Sequence, residues 1–405
     1  MITETMTKAK EEKTTKTKIA FVSLFANISG ATLAMLEIID KLLDDGDYEV
    51  IVVTGSRGPL EAKLEEKNIP VFKCLFFSWL KGEGQVENIK IRIKNILSAR
   101  GERQIYNILK NQNVDILHIN TGISPIGIKS AKALQIPVIW HLREEPVSYF
   151  NREPYDKRLE LICIRQADEI ITISKYIYDC YREKFADNAR IIYDGVDTEG
   201  FEKLRTQEIL TKDTIHMALC GYNAFKGHME AERALSIIMK KGYTNVYLHF
   251  YGKIESSFKK ELISMVDKSG LGNHVIFEGY VDDMPKKWAE SDIGLMCSDG
   301  EGFGRATVEA MATGALVIGA DKGATPEIIE NGKGFLYEKG NAEQLAEKII
   351  YAIENPDVAR KYAALGQRYI TEGTFSMDRN IVSLKKVYQE VLERKKGISI
   401  GKAEK

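Results

Sequence analysis

The sequence predicts an α/β protein built on two doubly wound parallel sheets, one in each of two domains. Three observations carry this. Short apolar, β-branched runs recur along the chain and are near-continuously hydrophobic, as strands buried on both faces are. The stretches between them show helical apolar spacing, so strands and helices alternate in the manner of parallel crossovers. Strand character lapses between residues 196 and 212 and then resumes, and 405 residues exceed what one hydrophobic core usually serves.

In order, the first series of runs is IAFVSL (19–24), EVIVVTG (49–55), PVFKCLF (70–76), DILHIN (115–120), PVIWHL (137–142), EIITIS (169–174) and ARIIYDG (189–195). The second is IHMALCG (215–221), YLHFYGK (247–253), VIFEGY (275–280), IGLMCS (293–298) and LVIGA (316–320). Ser376 followed by Met377-Asp378 marks a helix start, and Ile381, Leu384, Tyr388 and Val391 mark one face of a closing helix. The expected layout is a disordered tail over 1–17, a first Rossmann-like domain over 18–198 and a second over 199–375. A closing helix over 376–395 crosses back to the first domain, and a polar tail occupies 396–405. Two such sheets place their carboxyl-end crevices where they face each other across a cleft.

Composition narrows the function. Hydrophobic residues at 44% and charged residues at 28%, with a net charge of −1, give no polyelectrolyte character, which disfavours nucleic acid as a partner. Five cysteines stand singly with no CxxC pair, a pattern of reduced core thiols in a cytoplasmic protein. The polar first 18 residues lack the apolar region of a signal peptide, and no later run is long enough to span a bilayer.

The segment EGFGRATVEAMATG (301–314) follows the run IGLMCS and precedes LVIGA, so it reads as the turn and helix of one βαβ unit. Glu301 then sits at the carboxyl end of a strand, facing the crevice. The amides of Gly302, Phe303 and Gly304 lie near a helix amino terminus, a favourable place for phosphate or polar sugar groups. Glu309 lies on a small-residue helix face, where its two acceptor oxygens suit the vicinal hydroxyls of a ribose. Taken alone, glutamates of this kind are more often caps or solvated surface.

The spacing of Glu301 and Glu309 in this segment, followed by LVIGADKGATPEII, resembles the E-x7-E signature of retaining glycosyltransferases of the GT-B fold, family 4. The segments ADEIITISKYI (167–177), IIYDGVDTEGF (191–201), GYNAFKGHMEA (221–231) and VIFEGYVDDM (275–284) fall in that family's order, and the resemblance runs from about Lys18 to about Arg394. It implies transfer of a sugar of hexosyl or N-acetylhexosaminyl type from a UDP- or GDP-sugar donor to a hydroxyl of a glycan or lipid-linked acceptor, in surface polysaccharide or glycoconjugate synthesis. No metal or other cofactor is then required.

Carried over by position, Glu309 would hold the ribose and Glu301 the donor sugar. Lys226 would meet the diphosphate and neutralise the leaving group. Gly30, with Ser29, would belong to a loop approaching the donor phosphates. His141, at the end of PVIWHL, would contact substrate, with Arg143 and Glu144 as neighbouring candidates. The first domain would take the acceptor.

Some positions depart from that pattern. Tyr222, followed by Asn223, stands where the family usually carries an arginine that binds the diphosphate, and a phenol cannot replace that charge. Asp194 stands where asparagine is common. Asp45-Gly46-Asp47 has the form of a metal-binding DxD, but it lies between a helix end and a strand start, the wrong edge of a parallel sheet for a site. The basic, isoleucine-bearing stretch 81–110 reads either as a helix covering the sheet or as a peripheral membrane contact. Two other enzymes remain compatible with the architecture: a non-hydrolysing sugar-nucleotide epimerase and, less so for want of GxGxxG, a nicotinamide-dependent oxidoreductase. A non-catalytic partner subunit is a third reading.

Overall fold

The computed structural model describes residues 16–81, 85–147, 152–222, 224–253 and 256–403. The expected tail before residue 16, the tip of the 81–110 stretch at 82–84 and Asn223 lie outside the described residues. The first sheet has strands β1 (Thr17–Ser23), β2 (Tyr48–Thr54), β3 (Val71–Lys73), β4 (Ile116–Ile119), β5 (Val138–Leu142), β6 (Glu169–Thr172) and β7 (Ala189–Ile191). Their spatial order is β3-β2-β1-β4-β5-β6-β7. The second sheet has β8 (Ile215–Cys220), β9 (Val246–Tyr251), β10 (Val275–Gly279), β11 (Ile293–Met296), β12 (Leu316–Ala320) and β13 (Phe335–Tyr337), in the order β10-β9-β8-β11-β12-β13. Every pair in both sheets is parallel.

The apolar runs form strands because both of their faces have somewhere to go. In β1, Ala20 and Val22 enter one core cluster while Ile19 and Phe21 enter another on the opposite face, and all four are fully buried. The β13 strand escaped the sequence reading. It is only three residues long and follows Gly334, too short for periodicity to register.

Each sheet reverses its winding once, beside β1 and β4 in the first and beside β8 and β11 in the second. Ligands of such sheets bind outside the carboxyl ends of the strands at that switch. The loops that follow those four strands are therefore the ones that matter.

The chain passes between the domains twice, side by side. Val196 and Ser376 form a parallel bridge, and the Val196 amide donates to the Phe375 carbonyl at 2.9 Å. Beyond this second passage the closing helix, Met377–Ala403, lies on the first domain. Met377, Ile381, Leu384, Val387, Tyr388 and Val391 complete the cluster that contains Ile19, Phe21 and Ile116. The helix continues past residue 395, where a polar tail was expected. Arg394 is tied to Glu169 at 2.8 Å, and the run Glu393-Arg394-Lys395-Lys396 consists of strong helix formers.

Cys180 is exposed on helix Lys175–Tyr181 rather than in the core, and all five cysteines are free. Asp45 and Asp47 flank Gly46 between helix Gly30–Asp44 and β2, where Asp45 pairs with Lys385 of the closing helix. That edge is remote from the switch loops, so the DxD is a surface turn.

Candidate active site

The loop after β11 carries Glu301 and leads into helix Arg305–Ala312. The loop after β8 carries Lys226 at the end of the short turn Ala224–Lys226. Gly227 brings the two loops together. Its φ is +76°, and a Cβ there would come within 2.2 Å of the Cys297 carbonyl oxygen, so only glycine fits. The outcome is an ion pair: Lys226 Nζ lies 2.5 Å from Glu301 Oε2, and Ser298 Oγ donates to the same oxygen at 3.2 Å. Burial pushes the Glu301 carboxyl up, but the Lys226 ammonium outweighs it and holds the group below its ordinary range. Glu301 is thus ionised, in a narrow recess lined by Cys220, Lys226, Ser298, Gly304 and Thr307.

Glu309 sits about one turn into the helix that follows Glu301's loop. Burial raises its carboxyl, partly countered by the Arg305 guanidinium. Arg305 itself forms a bidentate pair across the cleft with Glu37 of helix Gly30–Asp44, at 2.6 and 2.9 Å, and donates to the Gly195 carbonyl at 3.0 Å. A Cβ on Gly30 would stand 3.7 Å from Arg305 Cδ. The loop of the first domain and the helix of the second therefore meet at this guanidinium. Ser29 is spent as the N-cap of helix Gly30–Asp44, in a reciprocal capping box with Thr32.

The two domains touch again at Gly302. A Cβ there would lie 2.6 Å from the Arg143 carbonyl oxygen, and Ser174 Oγ donates to the Gly302 carbonyl at 2.6 Å. Phe303 turns its ring away from the recess, edge-on to Phe375 at 5.3 Å. Its side chain is part of the wall between the domains, while its backbone, with that of Gly304, opens helix Arg305–Ala312.

The remaining sequence candidates have other duties. Tyr222 stacks on His228 with ring centroids 4.9 Å apart and donates to the Phe250 carbonyl at 2.8 Å. It is a wedge within the second domain, so the charge expected near the diphosphate is not supplied from this position. Arg143 is buried, donates from Nε to Asn120 at 2.6 Å and from Nη1 to both Asp194 oxygens at 2.7 Å. The departure at Asp194 is explained by this pair, since a carboxylate there balances a buried guanidinium. Glu144 accepts from Thr121 Oγ1 at 2.6 Å and ties together the loops after β4 and β5, with burial raising its carboxyl.

His141 is the penultimate residue of β5, near its carboxyl end, and is wholly enclosed. Its Nδ1 lies 3.2 Å from His118 Nε2, and His118 Nδ1 lies 2.8 Å from Tyr388 Oη. Burial, reinforced by Arg143, pushes His118 down to about 3 and His141 well below the ordinary imidazole range, so both are neutral. His118 and Tyr388 were missed as site residues. Glu37 and Arg305 were missed too, because nothing in the sequence joins residues so far apart.

What these loops can do chemically is bind a polar anion. A cation paired with an ionised carboxylate, a second carboxylate on the adjoining helix and a second cation, Arg305, at that helix's own amino terminus facing the first domain all lie where the two crevices meet.

Two family models match in tandem: "Glycosyltransferase Family 4" over residues 28–200 and "Glycosyl transferases group 1" over 203–369. N-acetyl-alpha-D-glucosaminyl L-malate synthase of Bacillus anthracis is 23% identical over 299 residues, which cover 70% of this chain and 77% of that protein. Sulfoquinovosyl transferase SQD2 of Arabidopsis thaliana is 25% identical over 350 residues, 81% of this chain and 64% of that one. Among solved structures, Anabaena Alr3699/HepE in complex with UDP and glucose shares the fold with a TM-score of 0.75 at 22% identity, over 92% of this chain and 100% of that chain. With both of its domains matched in succession and its two parallel sheets facing across one cleft, the chain belongs to the GT-B glycosyltransferases.

Proposed function

We propose that the chain moves a sugar from a nucleotide-diphosphate sugar, UDP- or GDP-linked, to an acceptor hydroxyl with retention of anomeric configuration. The observation that carries this reading is the ionised Glu301 bonded to Lys226 at the switch of the second sheet, with Glu309 on the helix that follows. The UDP and glucose held by the Anabaena neighbour support a donor of this class.

In this reading Glu309 accepts from the ribose hydroxyls and Glu301 from hydroxyls of the donor sugar. The diphosphate competes with Glu301 for Lys226 and takes the ammonium as its counter-charge. The acceptor hydroxyl attacks the anomeric carbon on the face from which the diphosphate departs. The carbon–oxygen bond to the diphosphate breaks, and the departing oxygen takes the acceptor's proton. Lys226 and the amides at Phe303 and Gly304 stabilise the charge that develops there, so the reaction requires no metal. Closure of the domains at Gly302 excludes water, whose attack would be hydrolysis.

The acceptor belongs to the first domain and is a glycan or lipid-linked hydroxyl. Helix Gln85–Asn111 buries Ile105 and Leu109 but leaves Ile93 52% and Ile96 71% exposed, which supports a peripheral membrane contact on the cytoplasmic face. No described helix is long and apolar enough to cross a membrane. Surface polysaccharide or glycoconjugate synthesis is the setting this implies.

The test is a panel of sugar nucleotides read by thermal stabilisation and by slow hydrolysis without acceptor, with the released sugar's anomer followed by NMR. One donor should raise the melting temperature and release the sugar with its starting configuration. Silence across the panel would sink the transferase reading, and an inverted product would sink retention.

A further inference from the structure

The enclosed array of Tyr388, His118 and His141 has no part in the scheme above, and its hydrogen bonds carry directional information. Tyr388 is fully buried, and its hydroxyl has one polar neighbour within bonding distance among the described residues, His118 Nδ1 at 2.8 Å. His118 is clamped by stacking on Phe21, with centroids 4.6 Å apart, and its Nε2 faces His141 Nδ1 at 3.2 Å. The chain ends at His141 Nε2, a buried nitrogen with no partner among the described residues.

Two proton arrangements satisfy the two links, and they differ in what they leave over. If His118 Nδ1–H donated to the phenol oxygen, the Tyr388 O–H would be a buried donor with no acceptor, and His141 Nε2 would be a bare acceptor as well. If Tyr388 donates to His118 Nδ1, then His118 Nε2–H donates to His141 Nδ1, and the single group left unpaired is the His141 Nε2–H. Each arrangement leaves one buried donor without an acceptor, but the first strands a bare acceptor as well, so the second, with one unpaired group fewer, prevails. Neutral imidazoles are needed for either, and burial supplies them here.

We infer that Tyr388 and His118 are positioning residues that fix His141 as the Nε2–H tautomer, so that the first domain presents one oriented, uncharged donor to an acceptor oxygen of the bound sugar nucleotide. This rests on the proposed function for the identity of the substrate but not for the proton arrangement. An unpartnered buried donor is the kind of group that a protein keeps for a ligand. The device also makes the closing helix a contributor to the site: one hydroxyl, borne on the chain's last helix, determines which imidazole nitrogen of β5 carries the proton.

The decisive experiment is long-range proton–nitrogen NMR on protein labelled with nitrogen-15 histidine, whose six imidazoles are assigned by single substitutions. His141 should show a protonated Nε2 and an unprotonated Nδ1, and Tyr388→Phe should mix the two tautomers at both His118 and His141. A wild-type His141 protonated at Nδ1 overturns the inference, as does a tautomer unchanged by Tyr388→Phe. Kinetics supply the second arm. Tyr388→Phe should lower kcat/KM roughly 2- to 10-fold, the effect of one neutral hydrogen bond.

In a His141→Gln background, where the amide N–H replaces Nε2–H without a tautomer to set, Tyr388→Phe should add nothing. A merely structural tyrosine would cause the same further loss in both backgrounds, which would also overturn the inference. An Nε2–H His141 in a protein that accepts no sugar nucleotide would refute the proposed function and leave the relay standing.

Discussion

Replacing Lys226 with methionine separates what the Lys226–Glu301 pair does for stability from what it does for turnover. The change keeps the aliphatic stem and removes the charge 2.5 Å from Glu301 Oε2, leaving Ser298 as the remaining side-chain donor among the described residues. Removing one member of a buried pair costs about 3–5 kcal/mol. Here the side chains are 19% and 23% exposed, so part of that is recovered by water. There is also a ceiling, because Glu301 can protonate. From the ordinary value of 4.5, protonation at pH 7 costs about 3.4 kcal/mol.

The expected loss is therefore about 2–3 kcal/mol at pH 7, and adding Glu301→Gln should restore most of it. Turnover should fall about 10²- to 10³-fold, as for loss of one group that stabilises a leaving charge, and the second substitution should not restore it.

The pH dependence follows with a definite sign. In the wild type the carboxyl is held below 4.5, so its contribution to stability is full above 4.5 and is lost as pH falls through the folded value. In Lys226→Met burial governs instead and lifts the folded value above 4.5. The variant then loses stability as pH rises from 4.5 toward that value. Urea denaturation of both proteins from pH 4 to pH 8, with initial rates of donor consumption, measures every quantity. A gap between wild type and variant that stays constant across that range would refute the electrostatic account. Turnover reduced less than fivefold would refute the catalytic one.

Three further outcomes are expected. Glu309→Ala should weaken nucleotide binding roughly 10- to 150-fold by calorimetry, the worth of a charged hydrogen bond, and unchanged affinity in a folded protein would remove the ribose assignment. Arg143→Met leaves Asp194, whose side chain is 5% exposed, buried without its partner, so unfolding should be easier by about 3–5 kcal/mol in urea, with Arg143→Met/Asp194→Asn recovering more than half. Equal stabilities of the single and double variants would show that the buried charge is not the cause. Wild-type protein should float with anionic liposomes and Ile93→Asp/Ile96→Asp protein should not. Equal behaviour of the two proteins would separate helix Gln85–Asn111 from membrane contact.

What was legible in the sequence was what is local. The central strands announce themselves because burial on both faces demands near-continuous apolar side chains, and β1, β5 and β11 are examples. Glu301 and Glu309 were legible because a glycine-bearing turn followed by a small-residue helix fixes their relation within fourteen residues. What was not legible depends on residues distant in the chain. Arg305 grips Glu37 across the cleft, Asp194 balances Arg143 and Tyr388 reaches His118 within the first domain, and each of these links is made only once distant parts of the chain have packed together. Tyr222 shows the opposite failure. Its place in a motif pointed to the cleft, yet an aromatic ring with His228 and Phe250 beside it gains more by packing inward.

The path of the closing helix has a consequence for synthesis. The second domain is one continuous segment and can condense as soon as it has been made, whereas the first is interrupted by it and lacks a wall until the final helix arrives. Until then Ile19, Phe21, Ile39 and Ile116 form an uncovered apolar groove. On the ribosome, therefore, the domain begun first is finished last, and a nascent chain stalled before Met377 presents that groove to any chaperone within reach.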